Sequence, residues 1–375
     1  MPTIGLSANA IDPVLTGGRI DGIGVYTRAL LRELPAFGVK CLPVHAPVGV
    51  RERRSGADAV GFRIPLAAGI AANALVGGTF PGARSVESRV DIYHATDYLA
   101  PRLRRTPVVA TLFDAIPLLQ PSWGNPRLRT LKNRVLKWAA VNADRVIAIT
   151  RPAAAEVADA YRIAPDRIRV IPLGIDGGWT VAPADDRVAA TLLRHRLRAG
   201  YFLFVGTLQP RKNLPMLMSA FERLPRERRR GRQLVIAGRC GWGSDALRDA
   251  LLRRRSEGEV VWLDHVDDGR LRDLYAGAGA FVFPSLAEGF GLPLLEALGA
   301  GLPVIASDLE VLREVGGGLA CYVPAGDADA WTGALEAVAS AAPDPAASAS
   351  RVRWARGFAW SRCAASTIEV YRELL

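Results

Sequence analysis

Residues 281–308 read FVFPSLAEGFGLPLLEALGAGLPVIASD. An apolar run, FVF, stops at Pro284, and the loop SLAEGFG leads into a helical pattern from near Leu292. A second apolar run follows at Pro303–Ala306. Strand, loop, helix and strand in that order make a βαβ unit, which demands a parallel sheet. Gly289 and Gly291 let the backbone come close to a ligand. The amides that follow, those of Phe290 and Leu292, can bind a diphosphate together with the helix N-terminus. Glu288 lies in the loop and Glu296 about one turn into the helix, with seven residues between them. A carboxylate there suits a ribose diol or a sugar hydroxyl, each of which donates hydrogen bonds. The plain alternative is a capped helix start with ordinary surface glutamates.

The same alternation runs outward in both directions. Strands are predicted at 3–7, 39–44, 91–94, 107–112, 145–149 and 168–171, and again at 201–205, 233–237, 260–263, 280–283, 303–306 and 321–323. Each set, with helices between, is a complete doubly wound α/β domain. Gly174 to Pro183 (GIDGGWTVAP) reads as the linker, which gives domains of 1–178 and 179–357 and leaves a last helix, 358–375. Ligands of such sheets sit beyond the carboxyl ends of the strands, so two facing domains are expected to line a cleft with strand-end loops.

Composition agrees. The 375 residues are half apolar and 23% charged, enough for two cores and unlike a disordered chain. No apolar run reaches the ~18 residues of a spanning helix; the best candidate, Leu66 to Val76, is interrupted by Gly69 and Asn73. The opening Met1-Pro2-Thr3-Ile4-Gly5 has no basic region, so no secretory signal is expected and the cytoplasm is the expected location. Cys41, Cys240, Cys321 and Cys363 are too scattered for structural zinc or a disulfide framework. Residues 1–183 hold 23 Lys/Arg against 14 Asp/Glu, the remainder 25 against 23. A basic first half suits nucleic acid or an anionic membrane. Codon bias explains the excess equally well, since 44 of the 48 cations are Arg.

The 281–308 segment closely resembles the nucleotide-sugar signature of the retaining glycosyltransferases of family 4, which have the GT-B fold. Three more stretches resemble that family in order: the loop Asp21–Thr27 (DGIGVYT), the junction Val170–Asp176 (VIPLGID) and the loop Gly206–Asn213 (GTLQPRKN). The ending Phe358-Ala359-Trp360-Ser361 is similar to the start of the family's last helix, which crosses back to the N-terminal domain. The resemblance implies that Gly206, Arg211 and Lys212 meet the donor's diphosphate, where Arg can act bidentately and Lys as a point charge. It places the turn 265–271, with Val266, against the nucleobase. Gly22 and Gly24 either bring amides near the diphosphate or make a packing turn. Many relatives carry a His before the residue matching Asp114, where this chain has Phe113. Asp114 then either meets the transferred sugar or acceptor, or caps the next segment. His94 reads as a packed core residue.

Asp327-Ala328-Asp329 is a literal D-x-D, but it opens a late helix and reads as a cap, so no metal is expected and activity should survive chelation. Arg127, Arg129, Lys132, Arg134 and Lys137, mixed with Leu128, Leu131, Val135, Leu136 and Trp138, make a basic amphipathic stretch. It suits an anionic membrane or is a solvated helix face. The expected protein is a hexosyltransferase that needs no cofactor. Its partners are a nucleotide diphosphate sugar, best a GDP-sugar such as GDP-mannose, and a glycan or lipid-linked glycan of bacterial surface polysaccharide. Rivals are a nucleotide-sugar epimerase on the same fold and a nucleic-acid-binding protein, though no helix-turn-helix, RNP-like or zinc pattern supports the latter.

Overall fold

The computed structural model describes residues 1–18, 20–48, 60–123, 129–254 and 258–375. They form two compact units, one built on Met1–Pro121, residues 129–174 and Ala359–Leu375, the other on Ile175–Phe358 together with Ser122 and Trp123.

The first unit holds strands β1 (Thr3–Ser7), β2 (Lys40–Val44), β3 (Ile92–Ala95), β4 (Val108–Leu112), β5 (Arg145–Ala148) and β6 (Ile168–Val170). All pair in parallel, in the order β2-β1-β3-β4-β5-β6. Every residue of β3 and β4 is buried, as expected where helices cover both faces of a parallel sheet. The order reverses between β1 and β3.

The second unit holds β7 (Tyr201–Val205), β8 (Leu234–Ala237), β9 (Val260–Leu263), β10 (Ala278–Phe283), β11 (Val304–Ser307) and β12 (Cys321–Val323). These are again all parallel, in the order β12-β11-β10-β7-β8-β9. Here the reversal falls between β7 and β10, the kind of switch point at which open α/β sheets take their ligands. All twelve strands lie within two residues of where the sequence puts them.

A chain of polar side chains crosses the first core. Tyr371 of the helix Trp360–Arg372 meets His94 Nδ1 through its hydroxyl at 2.7 Å. His94 Nε2 meets Thr111 Oγ1 at 2.8 Å, and Thr111 meets the Tyr26 hydroxyl at 2.9 Å. All four are buried, so each relies on the others for hydrogen bonds. His94 is therefore the packed core residue that the sequence suggests, and it ties the last helix to β3 and β4. At the helix end, Glu373 pairs with Arg145 and Arg169, each at 2.8 Å.

Burial lowers the His94 pKa to about 3. In the unfolded chain a histidine titrates near ~6.5, so the unfolded state takes up the proton first. Stability should then fall as the pH drops from about 6.5 towards 3, by up to ~1.4 kcal/mol per unit from this group. His94→Gln should flatten that limb in urea denaturation; identical slopes for the two proteins would take His94 out of it.

Candidate active site

The loop after β7 and the loop after β10 meet at the reversal of the second sheet. Pro210–Lys212 forms a single 3-10 turn, and Leu286 N donates to Arg211 O at 2.7 Å, which fastens one loop to the other. Lys212 Nζ forms an ion pair with Glu288 Oε1, and Arg211 Nη1 with Glu288 Oε2 at 3.0 Å. The Lys212 and Glu288 side chains are only 7% and 8% exposed. Lys212 Nζ also lies 4.6 Å from the centre of the Phe283 ring, the last residue of β10. Arg211 Nη1 donates to Ala287 O at 3.1 Å. Three of the four residues expected to carry chemistry are thus one cluster.

Burial pushes the Lys212 ammonium down to about 8, with Arg211 adding to the shift and Glu288 opposing it. Burial works against the Glu288 anion too, but Lys212 and Arg211 outweigh it and hold the carboxyl at about 2. At neutral pH all three are charged, and the cluster carries one net positive charge. Glu288 thus takes up half of the charge of the two cations. An anionic carboxylate so held can accept from hydroxyls, and the remaining positive charge can face an anion.

Gly291 follows in the left-handed region, φ +94°, as N-cap of the helix Leu292–Gly299. A residue with Cβ is strained at that angle, so the turn that brings the loop into the helix requires glycine. Gly289 precedes it, and Phe290 is buried edge-on to Phe358. Glu296 does not join the Lys212 cluster. Its Oε2 accepts from the Tyr275 hydroxyl at 3.0 Å, and that hydroxyl is also 3.2 Å from Pro293 O. The sequence reading missed Tyr275, which sits in the helix Asp268–Gly277 just before β10. Gly206 directly follows β7, and Val266 lies half-buried between β9 and the Tyr275 helix.

The first unit supplies the other candidates. Gly22 and Gly24 are not in a loop. They are the first turn of the helix Gly22–Glu33, because Asp21 caps it by accepting from Gly24 N at 3.0 Å. A Cβ on Gly24 would meet Ala10 O at 2.6 Å and Ile20 Cβ at 2.7 Å, so the turn is close-packed at that position. Asp114 follows β4, and its Oδ1 accepts from Ile116 N at 3.0 Å, at the start of the short helix Ile116–Leu119. Asp327 caps the helix Ala328–Ser340 through Ala330 N at 2.9 Å, and Asp329 pairs with Arg223. Among the described residues no group of His, Cys, Asp and Glu could hold a metal.

A family model for Glycosyltransferase Family 4 matches residues 20–177, and one for Glycosyl transferases group 1 matches residues 199–341. The O-antigen chain mannosyltransferase B of Escherichia coli is 32% identical over 288 residues, covering 76% of this chain and 74% of that one. The chain belongs to glycosyltransferase family 4. This family 4 enzyme is also 32% identical over 212 residues to the serotype-specific mannosyltransferase WbdA of Escherichia coli, but covers only 26% of its length. Its fold is GT-B: the structure of Anabaena HepE, solved in complex with UDP and glucose, aligns at a TM-score of 0.72 and 15% identity, covering 100% of both chains.

Lys212→Met should destabilise the second unit by roughly 3–5 kcal/mol, because it leaves Glu288 buried with one cation fewer. Adding Glu288→Gln should recover most of that loss. Two single losses that simply sum in denaturant unfolding would show that the pair is not coupled.

Proposed function

We propose that this glycosyltransferase moves a hexose, mannose or a close relative, from a GDP-sugar to a glycan or lipid-linked glycan of a bacterial surface polysaccharide, with retention at the anomeric carbon. The observation that carries the reading is the Lys212–Glu288–Arg211 cluster at the strand reversal, where an open α/β sheet takes its ligand. The names of the O-antigen relatives support mannose, and the UDP in HepE supports a nucleotide diphosphate donor. In this reading Lys212 and Arg211 face the diphosphate with the amides of Gly206, Gly289, Phe290 and Leu292, Glu288 accepts from sugar hydroxyls, and Glu296 accepts from the ribose. The bond from the anomeric carbon to the phosphate oxygen breaks as the acceptor oxygen adds on the same face. The acceptor's proton passes to the departing phosphate, so no protein nucleophile is needed. Positive charge waiting where negative charge grows lowers the barrier.

Calorimetry with GDP, UDP and ADP tests the donor site. GDP should bind tightest near pH 7. Its affinity should fall about tenfold or more as the pH passes about 8, where Lys212 loses its proton. Lys212→Met should bind weakly throughout and show no step. A wild-type affinity flat up to about pH 9.5 would remove Lys212 from the phosphate.

The acceptor side of the reading includes an anionic membrane surface. Arg127 and Leu128 lie outside the described residues. The helix Arg129–Val141 turns Val135 and Leu136 into the core with Trp138 packed against it, so these do not face outward as an amphipathic membrane helix would have them. Lys132, Arg134, Lys137 and Leu131, 48% exposed, stay on the surface. Packed alongside is the helix Leu66–Val76, whose Leu75 and Val76 are 78% and 88% exposed. No helix among the described residues is long and apolar enough to cross a membrane. Attraction is therefore chiefly electrostatic, about 1 kcal/mol per cation near the surface. Liposome co-sedimentation should require anionic lipid, weaken with salt and drop when Arg129, Lys132, Arg134 and Lys137 are neutralised, with GDP binding intact. Indifference to anionic liposomes at low salt would point to a soluble acceptor.

A further inference from the structure

Tyr275 is fully buried, yet its hydroxyl is turned to the one carboxylate on the helix Leu292–Gly299. Two aromatic neighbours fix the ring. Phe281 of β10 stacks on it at 5.5 Å, and Trp179 stands edge-on at 5.2 Å. Trp179 belongs to the 3-10 turn Gly177–Thr180, in the Gly/Pro stretch that the sequence presents as a linker. It is seated in turn against Gly299, where a Cβ would come within 3.1 Å of the Trp179 carbonyl oxygen and 3.4 Å of its Cβ, and under the Arg272 guanidinium at 5.6 Å. A tyrosine packed only for its bulk needs no polar partner on a carboxylate; a phenylalanine fills the same space.

We propose that Tyr275 is the positioning residue for nucleoside recognition: its hydroxyl holds the Glu296 carboxylate in the orientation that accepts from ribose hydroxyls, and Trp179 keeps the ring in place. A carboxylate on a free side chain rotates among rotamers, and each one that is immobilised beforehand is ordering that the ligand does not have to supply. The hydroxyl has a single proton to give, and burial with the Glu296 charge beside it keeps that proton on well above the usual tyrosine range. Tyr275 is thus a donor at every working pH. The consequence is selectivity for ribose over sugars that lack its hydroxyls, because a fixed acceptor left without its donor is penalised more than a mobile one. The inference rests on reading Glu296 as the ribose-binding carboxylate.

Calorimetry on the full chain separates the two. GDP and 2′,3′-dideoxy-GDP are titrated into wild type, Glu296→Gln, Tyr275→Phe and Trp179→Phe, with UDP and 2′,3′-dideoxy-UDP alongside so that the base does not decide the outcome. Wild type should prefer the ribonucleotide, and Glu296→Gln should abolish that preference. Tyr275→Phe should cut it about tenfold through the ribonucleotide alone, the dideoxy affinity moving less than about twofold. Trp179→Phe, which keeps the hydroxyl and loosens the ring, should fall between, and it carries the test if Tyr275→Phe unfolds. If Glu296→Gln loses the preference while Tyr275→Phe and Trp179→Phe keep it, Tyr275 is a packing residue and the proposal is overturned. If Glu296→Gln itself keeps the preference, or wild type binds neither series, the donor-site reading fails first.

Discussion

A lysine and a glutamate buried together cost desolvation on both sides, and only close pairing repays it. Lys212 and Glu288 repay it with each other, with Arg211 on the second carboxylate oxygen and the Phe283 ring beneath the ammonium. Because the partners come from the loops after β7 and β10, the pair bridges the point where the second sheet reverses its order. The loops cannot part without stranding a charge. The chain has 44 arginines and four lysines, and this site holds one of the four. An ammonium is a compact point charge whose pKa shifts readily on burial, whereas a guanidinium stays charged.

The face of β10 that carries Phe283 also carries Phe281, two residues earlier and 5.6 Å away ring to ring. One supports Lys212, and through it Glu288; the other supports Tyr275, and through it Glu296. Side chains at i and i+2 of a strand share a face, so the dipeptide step in FVF sets the spacing of the two carboxylate supports. Both carboxylates are therefore backed by the sheet and not by the loops alone.

Both sheets were legible because strands covered on both faces read as near-continuous apolar runs, whatever their neighbours. FVF, VVATL and LVIA announce themselves without tertiary information. Glu288, Arg211 and Lys212 were legible for a related reason: each follows such a run within a few residues. Tyr275 was not. Inside a helical pattern it is one more apolar position, and its hydroxyl gains meaning only when Glu296 arrives from another helix. Trp179 was hidden in the same way, in a Gly/Pro stretch whose composition signals a connection rather than a contact. Trp138 shows the opposite error. Its place among cations suggested a surface, whereas helical periodicity turns it towards the core.

The helix Trp360–Arg372 completes a core whose other members, Tyr26, His94 and Thr111, are made hundreds of residues earlier. During synthesis the first unit must wait. Its sheet strands are translated first, but the Tyr371 hydroxyl that closes the His94 chain leaves the ribosome only after the whole second unit has been made. At roughly 5–20 residues per second, the interval from β6 to that helix lasts on the order of ten seconds or more. For that time the surface over Tyr26 and His94 lacks its cover, and His94 has Thr111 but not yet Tyr371 as a partner. The second unit lies almost wholly in one run, Ile175–Phe358, and can close as soon as Phe358 emerges. The order of maturation therefore inverts the order of translation, and the half made first is the half that depends longest on protection from aggregation.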